Sequence, residues 1–241
     1  MAADVFTLER VGYDIWIAPE VEELDGWRLR FAHGLTKRGN SAWPNADGEL
    51  PLAEKIYAVE DWYRRRGLPA TFHVSPAARP AELEAELERR SYRDQAPATS
   101  VETAPLTPLS SGGDDVELLD EPDDDWIAIW TESRGFGRPD VAHRLLTGSD
   151  GPAAFARVGD VAVGRGVAVD GWLGITSMVT IPAARCRGHA RAILGAIARW
   201  ALAHGCERAL IQVESTNEPA RRLYSNAGFR SHYEYRYMTY A

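Results

Sequence analysis

The sequence predicts an α+β fold, with a mostly antiparallel sheet that holds one buried parallel pair, laid down in two copies of unequal completeness. Three observations predict it. Strand-type alternation and helix-type periodicity follow one another along the C-terminal part. Asp170-Gly171 joins two apolar runs, a strong hairpin signal. A set of features seen in the first 100 residues or so recurs, in the same order, in the last 80 or so.

In the N-terminal part, Asp25-Gly26-Trp27 opens a strand-like run. A helix over residues 52–65 carries Ile56, Val59, Trp62 and Tyr63 on one face and ends at Gly67. A short strand over 70–74 and a second helix follow, then the pair Tyr92-Arg93. Residues 104–115 read APLTPLSSGGDD, with no apolar periodicity, which marks a linker. The expected division is therefore an N-terminal domain over 1–103, a linker over 104–115 and a C-terminal domain over 116–241.

The C-terminal part predicts a helix over 125–133 and strands over 153–158, 160–169 and 172–180. A helix over 190–204 follows, with Ile193, Leu194, Ile197, Ala201 and Leu202 at helical spacing. A strand over 208–214, a short helix over 219–227 stopped by Gly228, and a last strand over 229–240 complete it. That last strand places Tyr233, Tyr235 and Tyr237 at every second position.

The second copy matches the first feature by feature. Gly205 lies 138 residues after Gly67 and Phe229 lies 137 after Tyr92, whereas Trp172 lies 145 after Trp27. Order and spacing persist, with a seven-residue difference in the first connection. Only 24 residues precede the first Asp-Gly-Trp, so the first copy is expected to lack early strands.

Composition narrows the function classes. Hydrophobic residues make up 45% and charged residues 26%, as in soluble globular proteins. There is no run of 18 apolar residues and no signal-peptide build at the N-terminus, so no membrane partner is expected. The two cysteines, Cys186 and Cys206, form neither a metal spacing nor a disulfide framework, which points to a cytoplasmic setting and no metal. A net charge of −8 disfavours nucleic acid. A monomer and a homodimer both remain open.

The chemistry-bearing stretch begins where the strand over 172–180 runs into the next helix. Gly188 lets the backbone turn, and small Ala190 lets a ligand approach the first helical turn. Unpaired amides and the helix dipole form a natural seat for a pyrophosphate, with Arg185 and Arg187 beside it. Taken alone, this is also what a plain strand-to-helix turn looks like. A second pattern follows 27 residues after Ala190, with Asn217, Ala220, Tyr224, Gly228 and Phe229 spaced N-x-x-A-x-x-x-Y-x-x-x-G-F. Together with Arg185, Gly188 and Ala190 at R-x-x-G-x-A, it resembles the GNAT superfamily of acyl-CoA-dependent N-acetyltransferases.

The resemblance implies a GNAT fold with a splayed parallel pair, and acetyl-CoA as the acyl donor. It implies that Arg185, Cys186, Arg187, Gly188, His189 and Ala190 seat the pyrophosphate. It also implies that Met178, Val179 and Thr180 pair with the pantetheine arm and aim an amide at the acetyl carbonyl. Asn217 falls where the family helps hold the donor near the splay. Tyr224 falls on the usual general acid. His189 and Thr180 depart from the family's usual aliphatic residue and Val, without removing a backbone donor.

Chemistry supports the role of Tyr224 independently. A phenol of pKa ~10 carries its proton at neutral pH and can return it to a thiolate of pKa ~8.5. An alkylammonium of pKa ~10.4 must lose a proton before it attacks. Glu214, at the end of its strand, is the candidate base, directly or through water, and a surface Glu is the equal alternative. The expected acceptor is a primary amine on a small molecule. Protein lysine or N-terminal acetylation is the alternative, and a non-catalytic acyl-CoA-binding module ranks third because Tyr224 is present.

In the first copy, residues 33–44 were expected to replace the pyrophosphate loop, and they lack its spacing. The residue 137 before Tyr224 is Leu87, which has no proton to give. That copy is expected to be degenerate, packing on the active domain and walling the acceptor site. Tandem GNAT proteins with one active half, mycothiol synthase-like enzymes among them, are similar in plan.

Overall fold

The computed structural model describes residues 4–133, 135 and 137–240. Its strands form a 12-stranded sheet in the order β1-β2-β3-β4-β12-β6-β11-β10-β9-β8-β7, with β5 also on β12. In chain order, α1 (Val5–Asp14) precedes β1 (Glu20–Leu24), β2 (Trp27–Phe31) and β3 (Ala42–Trp43). Then come α2 (Leu52–Arg64), β4 (Thr71–Val74), α3 (Leu83–Arg89), β5 (Tyr92–Asp94) and β6 (Thr99–Pro105). The second half holds β7 (Glu117–Leu119), α4 (Asp124–Glu132), α5 (Pro139–Thr147), β8 (Ala153–Val158), β9 (Ala162–Val169) and β10 (Trp172–Thr180). It ends with α6 (His189–Ala203), β11 (Arg208–Glu214), α7 (Glu218–Asn226) and β12 (Arg230–Tyr240).

The expected parallel pair is β10 with β11. A second parallel contact joins β3 to β4 in the first half. The turn at Asp170-Gly171 has the expected left-handed backbone, with φ of 47° and 76°. The matching turn at Asp25-Gly26 has φ of 47° and 82°.

That second match is local, and topology corrects it. Trp172 opens the strand that runs parallel to β11, whereas Trp27 opens β2, which is antiparallel to β3. The strand of the first half that precedes its helix and runs parallel to the next strand is β3. The seven-residue difference thus reflects an extra strand between Trp27 and α2. By this topology the loop placed like 181–188 is 44–51, where the sequence pointed to 33–44.

The last strands are exchanged. β6, which runs across the expected boundary at 103, lies between β11 and the first part of β12, with Ile211↔Glu102 and Tyr233↔Val101 in register. The end of β12 returns the favour between β4 and β5, with Met238 opposite both Phe72 and Asp94. Met238 accordingly completes the core of the first half with Trp27, Val59, Phe72 and Leu87. Helix α1 also crosses over. Its Leu8 and Val11, with the adjoining Ile15 and Trp16, join Trp126, Trp130, Leu210 and Tyr235 in one core. A Cβ on Gly174 would lie 2.5 Å from Ile15, and one on Gly12 would lie 2.5 Å from Gln212, so α1 sits close on β10 and β11.

Residues 104–115, expected as a linker, are docked. Arg199 of α6 donates to the carbonyls of Ser110, Gly112 and Gly113. Polar, glycine-rich composition here reflects a close approach of backbone to helix, since a Cβ on Gly113 would meet the Ala192 carbonyl.

A buried carboxylate ties these parts together. Glu9 of α1 is 4% exposed and accepts hydrogen bonds from Trp43 on β3 (3.0 Å) and Tyr233 on β12 (2.5 Å). It also lies 3.1 Å from His73 on β4. Burial pushes its carboxyl up, but the charge and hydrogen bonds of these partners outweigh that and hold it below the ordinary value.

Candidate active site

Parallel pairing of β10 and β11 runs from Trp172↔Arg208 to Ile175↔Ile211 and stops there. Beyond that point β10 bulges, with Ser177 and Met178 set against Gly164 of β9, and Ser177 has a φ of 56°. β11 stays on its other neighbour, β6, as far as Glu214↔Thr99. The two strands therefore open a V. A cavity of about 470 Å³ occupies it, lined from this half by 175–178, 211–214, Asn217, Ala220 and Tyr224.

Two hydroxyls in its wall, on Thr176 and Ser177, are buried and have no hydrogen-bond partner. Buried polar groups are normally satisfied, so these two suit a ligand that reaches them. Gln212 accepts from the Tyr235 hydroxyl at 2.9 Å, and Tyr237 donates to that same hydroxyl at 3.4 Å, which fixes the rings of β12 along the opposite wall.

Tyr224 is 5% exposed and its ring packs edge-on to Phe229 at 5.7 Å. Burial, with a smaller contribution from the Glu102 carboxylate, pushes its phenol well above the ordinary value. It is thus a protonated hydroxyl on the cavity wall at any physiological pH. Asn217 caps α7, accepting from the Ala220 amide at 3.3 Å, which positions the first turn of the helix that carries Tyr224. Glu214 is exposed and lines the same cavity.

The loop 181–188 lies just beyond the end of β10. A single 3-10 turn, Pro182–Ala184, leads to Arg185, whose Nε donates to the Thr180 carbonyl at 3.3 Å. Cys186 has a φ of 60° and Gly188 a φ of 86°. No side chain caps α6, and the Ala192 amide bonds back to the Gly188 carbonyl at 3.0 Å. A Cβ on Gly188 would meet nothing within 4 Å, so the space before the helix is open. These residues fit an anion on the first-turn amides. The cavity brings together Met178, Glu214, Asn217 and Tyr224; Val179, Thr180 and residues 185–190 lie outside its lining.

In the first half, the loop before α2 holds a carboxylate from within. At 44–51, the Asp25 carboxylate accepts from the amides of Glu49 (2.8 Å) and Leu50 (3.0 Å). Those amides, with Lys55 in addition, hold it below the ordinary carboxylate value. Lys55, fully buried, sits 3.1 Å from Asp25 and donates to the Asp25 and Asp47 carbonyls. A Cβ on Gly48 would fall 2.1 Å from the same carboxylate. Leu87 stands third from the end of α3 as Tyr224 does in α7, and it is buried.

The remaining wall comes from residues that no local pattern singled out for the site. Trp16, Leu35, Thr36, Lys37, Arg38, Ala96 and Thr99 line it from the first half, with Trp130 from α4.

Comparison with known proteins matches this architecture. Residues 2–238 match the family described as "Probable histone acetyltransferase Rv0428c C-terminal". The chain belongs to that family. An uncharacterized N-acetyltransferase, YobR, of Bacillus subtilis is 26% identical over 97% of this chain and 98% of its own. The Mycobacterium tuberculosis protein named probable histone acetyltransferase Rv0428c is 28% identical over 98% of this chain and 74% of its own. A GCN5-related N-acetyltransferase from Kribbella flavida superposes with a TM-score of 0.64 over 96% of this chain and 90% of its own, at 13% identity. A tandem GNAT protein from the clavulanic acid biosynthesis pathway gives 0.61 over 78% and 68%, at 14% identity. The fold is the GNAT fold, and this member of the acetyltransferase family is an acyltransferase.

Proposed function

We propose that the protein moves an acetyl group from acetyl-CoA to the primary amine of a small molecule, by direct attack in a ternary complex. The observation that carries this reading is the V between β10 and β11, which holds Tyr224, Glu214 and Met178 and lies beside an uncapped helix N-terminus.

In this reading the amides of residues 185–190 seat the donor's pyrophosphate, and Met178–Thr180 lie along its arm. A backbone donor of that strand polarises the acetyl carbonyl as charge builds on its oxygen. Glu214, directly or through water, takes the proton from the ammonium. The freed nitrogen forms a bond to the carbonyl carbon, and the carbon–sulfur bond breaks. The nitrogen releases its second proton to water as the amide forms, and Tyr224 gives its proton to the departing sulfur and is reprotonated from solvent. Residues 116–241 carry this chemistry, and the first half binds no donor.

The test is acetyl-CoA turnover by the full chain against a broad panel of amines, read by free-thiol release. Thiol release that depends on an amine, with the acetylated amine recovered, is expected. Absence of turnover with every amine and peptide would overturn the reading. A second reading, acetylation of protein amines, is motivated by the printed name of the Mycobacterium tuberculosis relative. Preference for lysine-bearing peptides over all small amines would select it.

A further inference from the structure

We propose that the acceptor is an amine that also carries a carboxylate, and that Arg38 binds this carboxylate. The inference rests on the acetyl-transfer reading above and names its substrate class.

The first half contributes two cations to the cavity wall, Lys37 and Arg38. Lys37 is exposed and donates to the Gln95 carbonyl at 2.9 Å. Arg38 is half-buried, its guanidinium 5.5 Å from the Trp16 ring, and among the described residues it has no ion pair. A second arginine stands close to the same wall. Arg165 of β9 is 0% exposed and also lies over Trp16, at 5.7 Å. It donates to the carbonyls of Ile15 and Gly148, and its Nε has no partner. Burial, with the charge of Arg38 added, pushes Arg165 down to about 9.

Two guanidinium groups around one indole, neither with an ion pair among the described residues, are electrostatically costly in a half-buried wall. Glu9, a buried carboxylate that lines a small cavity with Arg38, is already taken by Trp43, Tyr233 and His73. An anion brought by the acceptor would relieve this imbalance. Arg38 is the group free to meet it, because a guanidinium fork matches the two oxygens of a carboxylate. A phosphate would present a third oxygen and a second charge to the same single fork. Among the described lining residues the one carboxylate, Glu214, stands on the wall contributed by β11. An aminocarboxylate would thus meet a carboxylate with its ammonium and a guanidinium with its anion. The rings of Trp16, Trp130, Tyr235 and Tyr237 leave room between for an apolar or aromatic body. A lysine-rich protein tail would instead bring more positive charge to Arg38.

The experiment uses the full chain and thiol release from acetyl-CoA, with α-amino acids each paired with the corresponding amide and decarboxylated amine. Tryptophan, tryptophanamide and tryptamine form one such set. The carboxylates should exceed their partners in kcat/KM by roughly tenfold or more, as a charge-assisted pair provides. In Arg38→Met that ratio should collapse, mainly through KM, while Arg38→Lys keeps part of it. Thermal stabilisation of the protein by N-acetyltryptophan, exceeding that by its amide, gives a readout independent of turnover. If Arg38→Met fails to fold, the wild-type ratio and the stabilisation carry the test. Equal rates within each set, a preference for aminophosphonates, or a ratio unchanged in Arg38→Met would overturn the carboxylate assignment and leave acetyl transfer standing. If no amine of any kind is acetylated, the acetyl-transfer reading falls and this inference falls with it.

Discussion

Two strand-to-helix connections of this molecule, 181–188 and 44–51, each follow a strand with a parallel partner and treat a negative charge in opposite ways. In the second half the helix start is uncapped and the space before it is open. In the first half the Asp25 carboxylate lies on the loop amides, with buried Lys55 behind it. Neither helix start is capped by a side chain, but the amides of the loop before α2 already hold a carboxylate. The difference teaches that loops placed alike in the sheet can differ in whether an internal carboxylate meets their amides.

The sharpest contrast between the halves is Tyr224 against Leu87. Tyr224→Phe keeps the ring packed on Phe229 and removes only the hydroxyl. Turnover should fall by ~10²–10⁴, mostly in kcat, with donor affinity retained. Leu87→Ala, in contrast, should cost about 2–5 kcal/mol of stability and leave the activity of the folded protein unchanged. Denaturant melts and steady-state rates on the two variants check both. A Tyr224→Phe enzyme with full kcat would mean that another group protonates the sulfur.

A smaller effect tests whether the halves form one unit. Glu9→Gln breaks the buried pairing that joins α1, β3, β4 and β12, at a cost of about 3–5 kcal/mol. Because Glu9 is held below its ordinary value, its contribution is full above the carboxylate range and is lost as pH falls through it. Wild-type stability should therefore drop on acidification more steeply than that of Glu9→Gln, measured by denaturation between pH 3 and pH 7. Parallel pH profiles would show that the pairing adds nothing.

The mildest change concerns the base. Glu214→Gln should lower the rate at neutral pH and recover it as pH approaches the amine's pKa of ~10, where free amine is abundant. Tyr224, held protonated by burial, should not limit this recovery. A deficit independent of pH would assign Glu214 a different role.

Much of the second half was legible because its signals are local. The strands Ala153–Val158, Trp172–Thr180 and Arg208–Glu214 fall where alternation and the Asp-Gly turn put them. Helix α6 starts at His189, one residue before the expected position. What escaped was set by distant partners. β6 reads as the edge of a polar linker, and its strand character comes from β11 and β12. Trp27 repeats the local turn of Trp172 but not its place in the sheet, because short β3 intervenes. Helices α1 and α5 were not expected. Of the residues the cavity brings together, Asn217 and Tyr224 were named from their spacing, Met178 from the family resemblance and Glu214 from the end of its strand, whereas Arg38 and Trp16 reach the cavity only through the packing of one half on the other.

The central claim is one open donor seat per chain, at the start of α6. Calorimetric titration of the full chain with acetyl-CoA tests it most directly, run beside a folded Gly188→Asp variant. That substitution adds a side chain at a φ of 86° and a negative charge where the pyrophosphate is expected. The expected result is one site per wild-type chain and a loss of affinity of roughly a hundredfold, about 2.7 kcal/mol, in the variant. Two sites per chain, or one site whose affinity survives Gly188→Asp, would contradict the account.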